Sequence, residues 1–268
     1  MKDKVVIITG GSSGIGLALA EIFGSHGSKI MITGRKKEAL DEAVAKLQQQ
    51  NIEVTGFQSD VSKEEDNKAM AEEAIKHFGR IDILINNAGI SMRALFSELD
   101  LSIVKKVMDI NFYGALYATK YCLPEIEKNQ GSVVGISSIA GYRGLPGRTG
   151  YSASKFALQG FLEVLRTEML KKNVHVLTAC PGFTASNIRK SSLTADGSHQ
   201  GESPRAEDKM MTAEECAMHI YKATKKRKKF LTLTTQGKLT VFLNKWAPGF
   251  MDKMVYNVMA KEENSPFK

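Results

Sequence analysis

The stretch Val5-Val6-Ile7-Ile8-Thr9-Gly10-Gly11-Ser12-Ser13-Gly14-Ile15-Gly16 decides the fold of this chain. Its first four residues are apolar and β-branched, which is typical of a buried parallel strand. The glycines that follow permit a tight turn and a close approach of the backbone to a pyrophosphate, and a helix is predicted from about Ile15 to Gly24. The spacing is G-x-x-x-G-x-G, which differs from the standard dinucleotide motif G-x-G-x-x-G. The stretch therefore predicts a strand, a phosphate-binding loop and a helix.

The same alternation of strand and helix continues along the chain. Further strands are predicted at Lys29–Thr33, Glu53–Gln58, Ile81–Ile85, Ser132–Ser137, Val174–Ala179 and Phe230–Thr234. Helices are predicted over 37–50, from about Asp100, over 151–171 and over 212–225, with capping boxes at Ser62–Glu65 and Thr212–Glu215. We therefore expect an α/β fold: a single domain over 1–268, with one doubly wound (Rossmann-type) parallel sheet and helices on both faces.

The composition excludes several other classes of protein. Of the 268 residues, 43% are hydrophobic and 25% are charged, as in a globular protein with a large core. No apolar run is long enough to span a bilayer, and the first residues do not resemble a signal peptide. Cys122, Cys180 and Cys216 are widely spaced, which favours reduced thiols in the cytoplasm and fits no zinc site. No metal is predicted.

The net charge favours an anionic partner. It is +8, which would suit a phosphorylated cofactor, a membrane surface or nucleic acid. Five cations lie together at 225–229, and a solvated basic turn between a helix and a strand explains them equally well. Because only the charge supports nucleic-acid binding, we expect no nucleic-acid partner.

Ligands of doubly wound sheets bind at the carboxyl ends of the strands. The residues that follow the predicted strands are Gly10 to Gly16, Arg35, Asp60, Asn86 to Gly89, Ser138 and Pro181-Gly182. At the end of the second strand an acidic residue would select NAD, whereas an arginine would pair with the 2′-phosphate of NADP. Arg35 could also be a solvated helix start, but cations oppose the helix dipole at that end. We therefore predict NADP(H) as the cofactor.

Tyr151 and Lys155 lie one turn apart on a predicted helix. A phenol has a pKa of about 10, and a neighbouring ammonium would bring it towards neutral pH. The strand before this helix ends in two hydroxyl residues, Ser137 and Ser138. A Tyr-x-x-x-Lys pair also occurs on ordinary amphipathic helices, so its meaning depends on the other motifs.

Together these motifs closely resemble the short-chain dehydrogenase/reductase family. The resemblance runs from Lys2 to about Thr234 and rests on Thr9-Gly10-x-x-x-Gly14-Ile15-Gly16, Asn86-Asn87-Ala88-Gly89, Asn111, Ser138, Tyr151-x-x-x-Lys155 and Pro181-Gly182. Where the family often has a threonine, this chain has Ser186, so a hydroxyl is retained.

The resemblance implies that Asn111, Ser138, Tyr151 and Lys155 are catalytic. Tyr151 would exchange a proton with the carbonyl or alcohol oxygen, and Ser138 would orient that oxygen. Lys155 would lower the pKa of the tyrosine and hold the nicotinamide ribose, while Asn111 would hold a water that links Lys155 to solvent. With Arg35 added, the expected cofactor site comprises Gly10, Ser12, Ser13, Gly14, Ile15, Gly16, Arg35, Asp60, Val61, Asn87, Ala88, Gly89, Tyr151, Lys155, Pro181, Gly182, Thr184 and Ser186.

Two segments are expected to surround the substrate. The polar stretch 187–211 has no apolar periodicity and is expected to be a long mobile loop that closes over the substrate. The stretch 238–268 is an amphipathic C-terminal extension, which resembles family members that act on lipid-like ketones such as steroids or sphingoid bases. It could pack in the core or on a partner subunit, line the substrate cavity, or lie on a membrane beside 225–229.

The expected function is NADP(H)-dependent reduction of a hydrophobic ketone or aldehyde to an alcohol. The alternatives are an NADP-linked secondary-alcohol dehydrogenase and a non-catalytic NADP-binding regulatory protein, which would not need Ser138, Tyr151 and Lys155. The resemblance also implies a homodimer or homotetramer formed through the helices that contain Asn111 and Tyr151. A cytoplasmic location is expected, with peripheral membrane contact through 225–229 and 238–268.

Overall fold

The computed structural model of this chain describes residues 1–185, 188–203, 210–262 and 264–267. In these residues seven strands form one sheet: β1 (Val5–Ile8), β2 (Lys29–Gly34), β3 (Val54–Gln58), β4 (Ile83–Asn86), β5 (Ser132–Ile136), β6 (His175–Cys180) and β7 (Phe230–Thr232). Every neighbouring pair is parallel, in the order β3-β2-β1-β4-β5-β6-β7. The predicted doubly wound sheet is confirmed. The strand order reverses between β1 and β4, where such sheets form a ligand crevice.

Helices cover both faces of the sheet. They are α1 (Gly14–Ser25), α2 (Lys37–Gln49), α3 (Glu64–Phe78), α4 (Leu101–Met108), α5 (Gly114–Lys128), α6 (Thr149–Glu168), α7 (Ala213–Lys225), α8 (Thr235–Trp246) and α9 (Pro248–Ala260). A π-helical segment, Asp109–Tyr113, joins α4 to α5 without a break. Such π segments are frequent at functional sites. None of the helices in the described ranges is both long and apolar enough to cross a membrane.

The core has two layers, one on each face of the sheet. Successive residues of a strand point to opposite faces, so Ile7 and Ile8 of β1 belong to different hydrophobic clusters. Ile8 packs in the cluster that contains Phe23 of α1, and Ile7 in the cluster that contains Leu162 of α6. Burial of both faces explains why the central strands are continuous apolar runs rather than alternating ones.

Of the two predicted capping boxes, the one at the start of α3 is wrong and the one at the start of α7 is confirmed. The start of α3 has no capping box: no side chain of a described residue caps it, and Ser62 Oγ donates instead to the Asp60 carboxylate at 2.7 Å. The Asp60 carboxylate holds Ser62 in a local turn through the amide and hydroxyl of Ser62, and α3 begins one residue later than predicted, with Lys63 at its N-cap. The predicted capping box of Thr212 and Glu215 does form at the start of α7.

The described parts of 187–211 contain turns and isolated bridges, without a helix or a strand. Leu193 bridges to Met92, and its carbonyl accepts from the Arg93 amide at 2.8 Å. These contacts attach the segment to the residues that follow β4. The expected mobility of this segment stays a prediction, and Asn187 and 204–209 lie outside the described residues.

The chain after β7 forms the two helices α8 and α9. The helical spacing read in the sequence at 250–259 is confirmed by α9, which buries Met251, Val255 and Met259 against Leu145 and Leu243. One face of the tail therefore packs on its own chain, next to the loop that precedes α6.

Candidate active site

One cavity lies at the carboxyl edge of the sheet. Its volume is about 450 Å³. The site residues predicted from the sequence that line it are Gly10, Ser12, Ser13, Gly14, Ile15, Gly16, Arg35, Asp60, Val61, Asn87, Ala88, Gly89, Ser138, Tyr151, Lys155, Pro181, Gly182 and Thr184. Of the remaining two, Asn111 lies behind the wall and Ser186 lies outside the described residues.

The glycine loop between β1 and α1 forms one end of this cavity. Gly10 has a φ of 64°, and a Cβ on it would lie 2.9 Å from Ala88 Cα. The Asn87 amide donates to the Gly10 carbonyl at 3.0 Å, which fixes this loop to the end of β4. Within the described chain no side chain caps the first turn of α1. Its N–H groups can therefore bind an anion, and the loop fits a pyrophosphate.

The end of β2 brings positive charge to the same wall. Arg35 and Lys36 line the cavity with exposed side chains. Asp60 lies on the same wall, but its carboxylate accepts from the Ser62 amide and hydroxyl at 3.0 and 2.7 Å. The two exposed cations at this wall could pair with an anionic group of a bound ligand.

The loop after β5 and the first turns of α6 form the opposite wall. Lys155 Nζ lies 5.7 Å from the centre of the Tyr151 ring and donates to the Ile136 carbonyl at 2.8 Å. Ser138 follows β5, and its hydroxyl accepts from the Ala140 amide at 3.1 Å. A phenol, an ammonium and a hydroxyl thus face one cavity together with the glycine loop.

Asn111 lies in the π-helical segment and is 1% exposed. Its amide group donates to the Ile90 carbonyl and to Ser154 Oγ, both at 2.9 Å, and its oxygen accepts from the Ile90 amide at 2.8 Å. These bonds fasten the backbone that follows Gly89 to α6. A role in holding a water for Lys155 stays a prediction.

Comparison with known proteins identifies the family to which this chain belongs. The family model described as "short chain dehydrogenase" matches residues 4–197. The chain belongs to the short-chain dehydrogenase/reductase family. As a member of this family it is an oxidoreductase.

Relatives and solved structures agree with this membership. Dehydrogenase/reductase SDR family member 7B of Mus musculus is 35% identical over 271 residues, which cover 99% of this chain and 84% of that protein. 11-beta-hydroxysteroid dehydrogenase 1A of Arabidopsis thaliana is 38% identical over 188 residues, 69% of this chain and 53% of that protein.

Two solved structures share the fold. A short-chain dehydrogenase/reductase from Burkholderia phymatum in complex with NAD has a TM-score of 0.84 at 24% identity, over 93% of this chain and 95% of that one. An alcohol dehydrogenase from Thermococcus sibiricus complexed with 5-hydroxy-NADP has a TM-score of 0.77 at 23% identity, over 87% and 96%. These two neighbours therefore bind NAD and an NADP-type nucleotide, respectively.

Burial shifts the pKa values of Tyr151 and Lys155, the two titratable groups at the centre of the site. Desolvation lowers the pKa of Lys155 to about 8. Desolvation also raises the pKa of Tyr151, although the Ser138 hydroxyl and the charges of Arg148 and Arg189 oppose the rise. The net shift of the Tyr151 pKa in this structure is upward. The lowering of that pKa by Lys155 stays a prediction for the enzyme with its cofactor bound.

The sequence analysis missed Arg148, a buried arginine on the cavity wall. It donates to Ser91 Oγ at 3.3 Å and lies 3.8 Å from the carboxylate of Glu262, which also pairs with Arg93 at 3.3 Å. A signal was available for Arg148, because it precedes Tyr151 by three residues and so lies near the same helix face.

Arg189 is a second buried arginine on the cavity wall that was missed. Its guanidinium donates to the Thr184 carbonyl at 2.9 Å and to Ser203 Oγ at 3.2 Å. The stretch that contains Arg189 has no periodicity, and its partners come from the surrounding loop. No local pattern could therefore have indicated its position.

In the described ranges the cysteine and acidic side chains form no metal site. No group of three or more His, Cys, Asp or Glu side chains there is arranged to hold a metal ion. Cys122, Cys180 and Cys216 are buried and free, and burial raises the pKa of each thiol to about 12. Such thiols are poor nucleophiles at neutral pH.

Proposed function

We propose that this protein is an NADP(H)-dependent oxidoreductase that reduces a hydrophobic ketone or aldehyde to an alcohol. The observation that carries the proposal is the meeting of Ser138, Tyr151 and Lys155 with the glycine loop in one cavity. A protein that only bound a nucleotide would need the loop but none of the three.

The chain's own residues would handle the oxygen of the substrate. Bound NADPH would supply the hydride to the carbonyl carbon. The Tyr151 hydroxyl would donate its proton to the carbonyl oxygen, and Ser138 would donate a hydrogen bond that orients that oxygen. The charged form of Lys155 would stabilise the phenolate that Tyr151 becomes. Asn111 would keep the backbone after Gly89 in place beside Lys155.

The preference for NADP(H) is proposed from the end of β2. The two similar structures carry NAD in one case and 5-hydroxy-NADP in the other, so they do not select between the coenzymes. Arg35 and Lys36 stand where an acidic residue would bind the ribose hydroxyls of NAD. A guanidinium pairs with a 2′-phosphate through charge-assisted hydrogen bonds.

A coenzyme assay tests this proposal. We expect the wild-type protein to oxidise NADPH, and NADH much more slowly, in the presence of an aliphatic ketone. Ser138→Ala should lower kcat by about a hundredfold or more, because the oxygen loses its hydrogen-bond donor. Equal rates with NADPH and NADH would refute the coenzyme assignment, and an unchanged kcat in Ser138→Ala would refute the role of Ser138.

The same residues would serve the reverse reaction, so a secondary-alcohol dehydrogenase is the second candidate. Tyr151 would then accept the proton of the alcohol. The lowered pKa of Lys155 gives no preference between the directions. The ratio of NADPH oxidation to NADP reduction at neutral pH separates the two candidates. A non-catalytic NADP-binding regulatory role has no support from Ser138, Tyr151 and Lys155.

We further propose a single domain over 1–268 that assembles as a homodimer or homotetramer, in which 187–211 and 238–268 border the substrate. Tyr113 of the π-helical segment and Phe156 and Val164 of α6 are exposed apolar side chains. An interface between two copies that is formed by these helices would bury these exposed apolar side chains. Sedimentation of a Phe156→Glu variant should show a smaller particle than the wild-type protein, and an unchanged particle would refute this interface.

A further inference from the structure

A second cavity opens beside the first at the carboxyl edge of the sheet. Its volume is about 110 Å³. The residues that line both cavities are Ser138, Leu145, Pro181, Gly182 and Phe183. Since Ser138 borders both, a group attached to a carbonyl whose oxygen is bonded to Ser138 can enter the second cavity directly.

The far wall of the second cavity comes from the C-terminal helices. Met254 and Val258 of α9 and Thr240 of α8 line it, together with Ile139 of the loop after β5. Apolar side chains form most of the lining, with Thr234, Gln236 and Thr240 as polar members beside Ser138, and methionine adapts its shape to apolar ligands. An apolar occupant is therefore favoured over a polar one.

Ion pairing and hydrogen bonding hold this wall in place. Arg143, in the loop between β5 and α6, pairs with Asp252 of α9 at 2.6 Å and donates to Asn244 of α8 at 3.1 Å. Asn244 in turn donates to the Tyr142 carbonyl at 3.0 Å. These contacts attach α8 and α9 to the loop between β5 and α6 and so set the width of the cavity.

The size of the cavity selects the shape of its occupant. An apolar cavity of about 150 Å³ takes a benzene ring, and this one is smaller, at about 110 Å³. An unbranched chain of about four methylene-sized groups, each taking roughly the 30 Å³ of a water molecule, therefore suits this volume better than a fused or aromatic ring. We propose that the second cavity binds an unbranched alkyl substituent of the substrate, next to the reacting carbonyl. This inference rests on the proposed function and specifies its substrate class.

Methyl ketones of increasing length test the inference. For the wild-type protein with NADPH, kcat/KM should rise about fourfold for each methylene from 2-butanone upwards, and should level off after about four. Val258→Trp, which narrows the cavity that Val258 lines, should flatten this rise. Asn257→Trp is the matched control, because Asn257 is the exposed neighbour on α9. A flat series in the wild-type protein, or a full rise in Val258→Trp, would overturn the inference.

Calorimetry separates this inference from the proposed function, because it needs no turnover. We expect 2-octanol to bind the wild-type protein, and Val258→Trp to weaken that binding at least tenfold while Asn257→Trp does not. Equal binding by all three proteins, or none by the wild type, would overturn the inference even if ketones are reduced. The expected binding without any NADPH oxidation would instead refute the proposed function and leave the alkyl site standing.

Discussion

At the scale of single residues, Lys155 is a charged group held in a desolvated position. Its side chain is almost fully buried, and the hydrogen bond that it donates goes to the neutral Ile136 carbonyl. Desolvation therefore lowers the pKa of Lys155 from 10.5 to about 8. At neutral pH the ammonium is still charged, as the proposed support of a Tyr151 phenolate requires.

This shift predicts how stability depends on pH. Below the folded pKa of about 8 both states bind the proton, and between about 8 and 10.5 only the unfolded state binds it. The free energy of unfolding of the wild-type protein should therefore rise through this window, by roughly 3 kcal/mol from this group. In urea unfolding without cofactor, Lys155→Met should be more stable than the wild type by a margin that shrinks from pH 7 to pH 10. A margin independent of pH would contradict the shift.

Arg35 decides the coenzyme in our proposal. Arg35→Ala should weaken NADPH binding by about ten- to a hundredfold, because a charge-assisted bond to the 2′-phosphate is lost, and should leave NADH binding unchanged. Fluorescence titration with both coenzymes measures this. Lys37→Ala is the control, since Lys37 pairs with Asp41 and does not line the cavity. Equal weakening of both coenzymes by Arg35→Ala would rule out our assignment.

At the scale of elements, local sequence patterns predicted the helices, strands and turns whose formation depends on residues close in sequence. The strand β1, the glycine loop and α1 follow from an apolar run and the glycines beside it. The cap of α3 was mispredicted because Asp60 holds Ser62 in a local turn and the helix begins one residue later. The π-helical segment around Asn111 could not be predicted, because its sequence is compatible with an α-helix and the bulge depends on packing against α6.

The residues of the candidate site were likewise predicted only in part. Residues at strand ends, such as Ser138 and Arg35, were found because the alternation of elements places them at one edge. Arg189 was not found, because the loop around it has no periodicity and supplies its partners Thr184 and Ser203. For the tail, lining of the cavity was one of several possibilities, because helical spacing does not show what a helix packs against. The direction of the Tyr151 pKa shift also depends on burial, which spacing does not reveal.

Two acidic side chains after β7 form ion pairs, one of them buried and the other exposed, and their contributions to stability should differ. Glu262 is 3% exposed and lies against Arg93 and Arg148, whereas Asp252 is 69% exposed and pairs with Arg143. Glu262→Gln should lower the free energy of unfolding by about 3–5 kcal/mol, because it leaves buried arginines without that charge. Asp252→Asn should lower it by less than about 1 kcal/mol. Similar losses in urea unfolding would contradict this account of the tail.

At the scale of the whole molecule, the outer face of α8 and α9 is an exposed apolar patch, formed by Phe242, Trp246 and Phe250. Trp246 is 71% exposed and Phe242 is 61% exposed, and Lys245 Nζ lies 5.8 Å from the centre of the Trp246 ring. The basic residues 225–229 are exposed as well, but they precede β7 and so lie at the amino edge of the sheet. Aromatic side chains beside cations are typical of contact with an anionic membrane surface. We propose such a contact.

Co-sedimentation with vesicles that contain phosphatidylserine tests the membrane contact. The wild-type protein should pellet with the vesicles, and less so at high salt. Replacing Phe242 and Trp246 by serine should abolish most of the pelleting. Leu170→Ser is the control, since Leu170 is as exposed but lies after α6. Equal pelleting of all three proteins would rule out this patch as the contact.

The central claim is that Tyr151 exchanges the proton in a reaction with bound NADP(H). Its most direct test is a comparison of Tyr151→Phe with the wild-type protein, in which NADPH binding and the turnover of one ketone are measured on the same preparations. The account predicts NADPH affinity within about twofold of wild type and a kcat lower by about a thousandfold, since the phenol is the proton donor. A kcat close to the wild-type value, with NADPH still bound, would contradict it.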